Sequence, residues 1–267
     1  MILAVDIGGT KTLVALFDKA GKIIKQRKFP TSQNYEDFLA TFSDEFKSLD
    51  TMSIDKTVVA IPGRLDRATG IGLVFGNLPW KNVPIQSDVK AIVKNTVLVE
   101  NDAKLGGFGE AMAIKDKFQK VLYLTIGTGI GVAFTADSQI DTSINDLGGN
   151  TIKLMHDGKL VSWDSFASGK AIFKHYGKKA SEIDDPKIWE SICLDLTVGI
   201  LELLSVITPD CIVLGGGVSK NFDKFGKILA RQLNESSASY LIPPIISAKR
   251  PVDAVIYGCY EYAKQNQ

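Results

Sequence analysis

The stretch Val5-Asp6-Ile7-Gly8-Gly9-Thr10-Lys11-Thr12-Leu13-Val14 runs from an apolar strand, through a turn of glycine and threonine, into a second apolar strand. A similar stretch, Leu124-Thr125-Ile126-Gly127-Thr128-Gly129-Ile130-Gly131-Val132-Ala133, begins 119 positions later. Such internal similarity indicates that one structural unit occurs twice. Two hairpins of this kind that face each other would hold a polyphosphate from both sides. The repeat therefore predicts a nucleotide-binding protein with two lobes.

The bulk composition excludes several classes of protein. The chain has 267 residues, of which 45% are apolar and 23% charged, as is usual for a globular protein. Its net charge of only +1 argues against a dedicated nucleic-acid binder. No apolar run approaches the roughly 20 residues of a membrane span, and the first residues enter a strand pattern instead of a secretory signal. Three scattered cysteines, Cys193, Cys211 and Cys259, favour a reducing compartment, and we expect a cytoplasmic protein.

The periodicity of apolar residues predicts α/β secondary structure along most of the chain. Strands are expected at 2–5, 12–17, 23–29, 57–61, 96–99 and 211–214. Helices are expected at 35–49, 84–93, 102–112, 189–207, 222–233 and 252–263. The polar stretch 137–168 is interpreted as irregular, as in a region of loops that bind substrate.

The first repeated stretch has the residues that a phosphate site needs. Gly8 and Gly9 let backbone N–H groups turn towards a phosphate, because no Cβ stands in the way. Thr10 and Lys11 add further donors. Asp6, at the end of the strand, is a candidate ligand of Mg²⁺, directly or through water. The alternative is an ordinary hairpin turn followed by a solvated lysine.

The glycine-rich stretches later in the chain have a similar interpretation. Gly127-Thr128-Gly129 is followed by a strand pattern and by no Gly-Lys-Ser/Thr, so it fits neither a Walker motif nor a Rossmann motif. A hairpin that binds phosphates through N–H groups and the Thr128 hydroxyl fits better. Gly215-Gly216-Gly217 follows a strand and precedes a helix, which would allow a nucleoside to approach the backbone. Tight turns without any ligand are the alternative for both stretches.

Asn101 and Asp102 stand where a buried strand ends and a helix begins. An aspartate there can cap the helix by accepting a backbone N–H bond. It can equally act as a general base that accepts the proton of an attacking hydroxyl. Asn101 is a candidate hydrogen-bond partner of a sugar hydroxyl.

The order of these motifs resembles that of the sugar kinase/Hsp70/actin superfamily, and more narrowly that of the ROK family of repressors and sugar kinases. The stretches Pro62-Gly63-Arg64-Leu65-Asp66 and Asn77-Leu78-Pro79-Trp80 resemble sugar-side loops of that family. The resemblance covers essentially the whole chain. It implies a two-lobed actin-like ATPase (ribonuclease H-like) fold with mixed sheets flanked by helices. The expected lobes are 1–101 with the C-terminal helix 252–267, and 102–251.

The same resemblance implies a function and a set of site residues. The expected reaction is ATP-dependent phosphorylation of a hexose, glucose or a related sugar, at the 6-hydroxyl, with Asp102 as the base. The phosphates and adenosine would lie at the glycine-rich motifs, with Mg²⁺ at Asp6. The expected sugar-binding residues are Gly63, Arg64, Gly76, Asn77, Asn101, Asp146 and Asp164.

The chain departs from the family pattern around position 149. Asp146-Leu147-Gly148-Gly149 stands where kinases of the family have Glu-x-Gly-His, and Asp164 also replaces a glutamate. The cysteine cluster of the family is missing, so we expect no zinc, and His156 is interpreted as a solvated loop residue. These departures keep open a catalytically weak sugar- or nucleotide-binding sensor. Three further alternatives stay open: N-acetylmannosamine or fructose as the acceptor, polyphosphate as the donor, and a homodimer.

One feature favours the enzyme over the regulator. Repressors of the ROK family have an N-terminal helix-turn-helix, whereas Asp6 stands at the start of this sequence and leaves no room for one. We therefore expect no nucleic-acid partner and no membrane partner.

Overall fold

The computed structural model describes residues 1–49, 53–237 and 241–266. They form two compact units, which divide inside one helix between Gly109 and Glu110. The first unit comprises residues up to Gly109 together with the C-terminal segment that begins at Val255, and the second comprises Glu110–Ala254.

The first unit is built on a five-stranded mixed sheet. Its strands are β1 (Ile2–Ile7), β2 (Lys11–Phe17), β3 (Ile23–Pro30), β4 (Lys56–Ile61) and β8 (Thr96–Asn101), in the spatial order β3-β2-β1-β4-β8. The first three strands form the antiparallel meander that the turns predict, and β4 and β8 run parallel to β1. Both Asp6 and Asn101 therefore stand at the carboxyl ends of parallel strands, where sites of α/β sheets are usually found.

Helices complete this unit at positions that the sequence predicts. They are α1 (Tyr35–Lys47), α2 (Ile85–Val93), α3 (Asp102–Ile114) and α9 (Ala254–Gln265). The aromatic side chains of α1 join the core with Trp80, and the rings of Phe38 and Trp80 are 4.8 Å apart. The C-terminal helix packs on the sheet, where Tyr260 stacks on Phe17 at 4.9 Å.

A small antiparallel sheet in the first unit corrects one interpretation of the sequence. The two stretches interpreted as sugar-side loops form β5 (Gly63–Asp66) and the first half of β7 (Leu78–Val83), and β6 (Ile71–Phe75) lies between these two strands. Only Gly76 and Asn77 lie in a turn, between β6 and β7. The stretches are short and contain Gly and Pro, which hides their strand pattern.

The second unit repeats the sheet of the first. Its strands are β9 (Lys120–Ile126), β10 (Ile130–Ala136), β11 (Gln139–Ile140), β14 (Cys211–Gly215) and β15 (Ile245–Ser247), in the order β11-β10-β9-β14-β15. As in the first unit, an antiparallel meander is followed by two strands parallel to its first strand. The repeated hairpin in the sequence therefore belongs to a repeated sheet.

Among the described residues, further helices of the second unit follow the end of α3. They are α4 (Asp164–Ala167), α5 (Gly169–Tyr176), α6 (Pro186–Leu204), α7 (Gly216–Ser219) and α8 (Phe222–Ser236). The long helices α6 and α8 pack together, with the rings of Trp189 and Phe225 stacked at 5.0 Å. Mixed sheets with helices in both units confirm the predicted α/β class.

The stretch 137–168 is more regular than its composition indicates. It contains a hairpin of β12 (Lys153–His156) and β13 (Lys159–Ser162), followed by α4. Asp157 and Gly158 form its two-residue turn, with φ of 48° and 72°. This dipeptide is typical of a type I′ hairpin, so the interpretation of the stretch as irregular was wrong for 153–162.

None of the helices in the described ranges is both long enough and apolar enough to cross a lipid bilayer.

Candidate active site

The tip of the β1–β2 hairpin presents two consecutive backbone N–H groups. The Gly8 N–H donates to the Lys11 carbonyl oxygen at 3.0 Å, which closes the turn. In the described part of the chain, the N–H groups of Gly9 and Thr10 have no acceptor. Adjacent unpaired N–H groups form a concave donor site that suits a phosphate oxygen.

The β9–β10 hairpin has the same arrangement at its tip. The Gly127 N–H donates to the Gly129 carbonyl oxygen at 2.9 Å, while the N–H groups of Thr128 and Gly129 have no acceptor within residues 1–49, 53–237 and 241–266. Thr128 is exposed, so its hydroxyl is also accessible. Both predicted phosphate motifs thus carry matching donor pairs, each in its own unit.

Asp6 lies on the first unit's sheet beside its hairpin. Burial and, to a smaller extent, the nearby Asp102 carboxylate raise the pKa of its carboxyl group from 3.8 to about 7, while Lys28 acts in the opposite direction. A carboxylate that is so costly to ionise is one that a cation would stabilise. Asp6 therefore fits the predicted Mg²⁺ role by its chemistry, although that role stays a prediction.

The start of α3 separates the roles of Asn101 and Asp102. The Asn101 Oδ1 accepts the Lys104 N–H at 3.0 Å, which is the bond of a helix N-cap. Its Nδ2 donates to the Gly63 carbonyl oxygen at 3.0 Å. Asp102 Oδ1 accepts the N–H of the adjacent Ala103 at 2.7 Å. Because Asn101 supplies the cap, the capping alternative does not account for Asp102.

A buried ion pair supports this helix start from behind. Glu100 is 2% exposed, and its Oε2 accepts the Arg67 Nε–H at 2.8 Å. Its Oε1 accepts the Asn101 N–H at 2.6 Å. The sequence analysis missed Arg67, because 33 positions separate it from Glu100 and no motif links them.

We expect an Arg67→Met variant to lower the free energy of unfolding by about 2 kcal/mol. Loss of one partner leaves the other charge buried, which costs about 3–5 kcal/mol in a fully buried pair. The Arg67 side chain is 30% exposed, so the cost should be smaller. Urea denaturation measures the difference, and Arg64→Met, at an exposed position of β5 just before the turn that holds Arg67, is the control. Equal losses of the free energy of unfolding in both variants would contradict the stabilising role of the Arg67–Glu100 ion pair.

The structure brings several predicted sugar-side residues of the first unit together. Gly63 has φ of 146°, and a Cβ there would overlap the Val74 carbonyl, so this position requires glycine. Its carbonyl contacts Asn101, as described above. Asn77 lies against the phosphate hairpin, since a Cβ at Gly9 would be 3.1 Å from the Asn77 Cβ. Arg64 and Gly76, which are the sequence neighbours of Gly63 and Asn77, are both exposed.

The predicted sugar residues of the second unit occupy different settings. Asp146 is partly buried and precedes a short 3₁₀ turn at Gly148–Asn150. Asp164 begins α4, and its Oδ1 accepts the Ile130 N–H at 2.8 Å. Burial raises the pKa of Asp164, and this hydrogen bond lowers it. Asp164 thus contacts the phosphate hairpin directly, which sequence reasoning did not predict.

The three glycines of the predicted adenosine motif have different structural roles. A Cβ at Gly215 would overlap the ring of Tyr123, and Gly216 has φ of 83°, so packing and backbone conformation explain these two. A Cβ at Gly217 would meet nothing within 4 Å. Only Gly217 therefore has open space of the kind that an approaching nucleoside needs.

The histidine and metal predictions have different outcomes. His156 is not a solvated loop residue, because its ring stacks on Phe166 at 4.2 Å and its Nε2 lies 3.2 Å from Asp195 Oδ1. The structure groups no three His, Cys, Asp or Glu side chains around a potential metal position in the ranges it describes. The expected absence of zinc stays a prediction.

Comparison with known proteins gives consistent matches over the whole chain. The model of the ROK family matches residues 2–265. An N-acetyl-D-glucosamine kinase of Haemophilus influenzae is 25% identical, over 93% of this chain and 94% of its own length. A ROK family glucokinase from Streptomyces griseus, solved with glucose and AMPPNP, has a TM-score of 0.83 and 21% identity over 99% of both chains.

A further solved structure is more similar in sequence. The inorganic polyphosphate/ATP-glucomannokinase from Arthrobacter sp. strain KM has a TM-score of 0.77 and 25% identity, over 100% of this chain and 99% of its own. These likenesses confirm the predicted actin-like ATPase fold.

Proposed function

This chain belongs to the ROK family, and from that premise we propose that it is a sugar kinase that transfers the terminal phosphoryl group of ATP to a hexose. The similar proteins, which are named as a glucokinase, an N-acetyl-D-glucosamine kinase and a polyphosphate/ATP-glucomannokinase, support this reaction class. The observation that carries the proposal is the pair of hairpin tips, each with two unpaired backbone N–H groups. Phosphoryl transfer depends mainly on such donors and on positioning.

The first unit supplies the groups that act on the sugar hydroxyl. Asp102 accepts the proton of the hexose 6-hydroxyl as that oxygen forms its bond to the γ-phosphorus. The bond between the γ-phosphorus and the bridging oxygen breaks, and the products are a sugar 6-phosphate and ADP. Asn101 is fixed at both ends of its amide, so it supports the shape of the sugar pocket, and in this proposal it binds a sugar hydroxyl.

A magnesium ion fits the carboxylate of Asp6. Its pKa is raised because burial and the Asp102 carboxylate disfavour the ionised form, which a bound cation would stabilise, and carboxylate oxygens are preferred ligands of Mg²⁺. When bound, the ion would neutralise charge on the transferring phosphates. Thr10 and Lys11 on the adjacent hairpin would add donors to the phosphates.

The second unit supplies donors to the nucleotide. The N–H groups of Thr128 and Gly129 and the Thr128 hydroxyl bind phosphate oxygens. The adenosine lies against Gly217, since Gly215 and Gly216 are filled by packing within the protein. Asp146 binds sugar hydroxyls in this proposal.

We expect hexose-dependent release of ADP that saturates with both ATP and sugar. A coupled assay over glucose, mannose, fructose, N-acetylmannosamine and N-acetylglucosamine tests the acceptor. Replacement of ATP by polyphosphate tests the donor, because the hairpin amides contact phosphates and not the base. Absence of turnover with every acceptor and donor would contradict the proposal.

The altered segment 146–150 favours one alternative, a sensor of the same fold that binds sugar or nucleotide with little turnover. A thermal-shift panel separates the two functions, because a bound ligand raises Tm by mass action whether or not it reacts. Stabilisation by a sugar without ADP release would favour the sensor. Light scattering during size-exclusion chromatography tests whether the protein forms a homodimer.

A further inference from the structure

The segment 163–169 holds the second phosphate hairpin at both ends of its turn. At one end, Asp164 Oδ1 accepts the Ile130 N–H at 2.8 Å. At the other, the Gly169 N–H donates to the Gly127 carbonyl oxygen at 2.7 Å. The unpaired N–H groups of Thr128 and Gly129 lie between these two bonds. Their direction is therefore set by a segment that is distant from the hairpin in sequence.

The Asp164 carboxylate also contacts the turn at Gly148–Asn150. A Cβ at Gly149 would overlap Asp164 Oδ1, and a Cβ at Gly129 would lie 2.7 Å from Asp164 Oδ2. The carboxylate thus fills the space between the hairpin and the 3₁₀ turn, and both glycines are needed to make that space. Asp146, the predicted sugar residue, lies three positions before Gly149.

The backbone that carries Asp164 is firmly anchored. Trp163 is fully buried, and its Nε1–H donates to the Asp195 carbonyl oxygen of α6 at 2.9 Å. Its own N–H donates to the Ile152 carbonyl oxygen at 2.9 Å. Gly199 of α6 makes room for the indole, because a Cβ there would overlap the ring. Asp164 therefore extends from a fixed point and not from a mobile loop.

We propose that Asp164 is a positioning residue for the phosphoryl donor, which fixes the N–H groups of Thr128 and Gly129 and links them to the turn at Gly148–Asn150. This inference rests on the proposed function and differs from the sugar-ligand role that the family resemblance implies for Asp164. Both carboxylate oxygens face the hairpin and the turn, so the side chain acts on the nucleotide through the backbone of residues 127–130. The turn follows Asp146, the predicted sugar residue. The Asp164 carboxylate therefore transmits a change in this turn to the hairpin that binds the phosphoryl donor.

The test measures nucleotide binding and sugar binding separately for four variants, two of them at Asp164. Asp164→Ala removes the acceptor of the Ile130 N–H, and a hydrogen bond to a charged group is worth about a tenfold change or more in an equilibrium constant. We expect the Kd of AMPPNP, measured by calorimetry, to rise about tenfold while the Kd of the sugar changes less than about threefold. Asp164→Asn keeps one oxygen acceptor and should recover part of the loss.

Two further variants serve as comparisons. Asp146→Ala should show the opposite pattern, with weaker sugar binding and unchanged nucleotide binding. Asp116→Ala, an exposed position in the same unit, should change neither constant. Hydrogen exchange of the Ile130 amide gives a readout that does not depend on any ligand, and it should accelerate about tenfold in Asp164→Ala.

The outcomes separate this inference from the proposed function. If no sugar is phosphorylated but AMPPNP binding and Ile130 exchange change as expected, the proposed function fails and the positioning role stands. If Asp164→Ala weakens sugar binding about tenfold and leaves AMPPNP binding and Ile130 exchange unchanged, Asp164 is a sugar ligand and the inference is overturned. No change in any of the three readouts also overturns it.

Discussion

An Asp102→Asn variant is expected to lose about three orders of magnitude in kcat, within the range of 10²–10⁴ that a general base contributes. Asn has nearly the same size, so the KM values for sugar and ATP should stay within about threefold. The helix start should also survive, because the cap bond belongs to Asn101 and the Ala103 N–H can still be accepted by the amide oxygen. Steady-state kinetics with saturating sugar and ATP measure the effect.

The matched control for this prediction is Asp37→Asn on α1. Its side chain is exposed in the first turn of a different helix, and the substitution also removes one negative charge. Its kcat should equal that of the wild type. A kcat of Asp102→Asn close to the wild-type value would remove Asp102 from the reaction and with it the proposed chemistry.

An Asp6→Asn variant is expected to lower kcat/KM for ATP by about two to three orders of magnitude, because it loses the carboxylate that would hold the metal. The same change should stabilise the ligand-free protein at pH 8. The carboxyl of Asp6 has a pKa raised from 3.8 to about 7, so between these values the folded state holds a proton that the unfolded state has released. Stability of the wild type therefore falls as the pH rises through this window.

The size of that stabilisation follows from the pKa and the exposure of the side chain. A shift of about three units corresponds to about 4 kcal/mol at most. Asp6 is only partly buried, so we expect a gain of about 2 kcal/mol at pH 8 that shrinks towards zero near pH 4. Urea denaturation of both proteins across this pH range measures it. A gain that is constant with pH would show that ionisation of Asp6 is not its cause.

The hairpins and most helices were predictable because local patterns specify them. The apolar alternation and glycine turns of residues 5–14 and 124–133 identify the repeat before any coordinates are known. The Asp157-Gly158 turn was equally local, yet it was missed because the surrounding stretch 137–168 is polar. The polar composition of this stretch is typical of a loop, and it hides the hairpin that the Asp-Gly dipeptide indicates.

For the candidate site, the sequence provides a list of residues, which stays a prediction, and does not provide the contacts that position them. The capping function of Asn101, the ion pair of Arg67 with Glu100 and the contact of Asp164 with Ile130 all join positions whose relation depends on the folded chain. The three glycines of the predicted adenosine motif are present for different reasons. Packing within the protein requires Gly215 and Gly216, whereas Gly217 has open space beside it. A sequence motif does not distinguish these causes.

The donors at the two hairpin tips are main-chain atoms, and this has a consequence for mutagenesis. Alanine scanning leaves the N–H groups of Gly9, Thr10, Thr128 and Gly129 in place, so any effect that it reports comes from a lost hydroxyl or an added Cβ, such as the one that would crowd Asp164 at Gly129. Replacement of an amide by an ester through chemical ligation deletes the donor itself and would expose its contribution. For the same reason, variants with an altered preference for the phosphoryl donor are expected at the neighbouring side chains that position these tips.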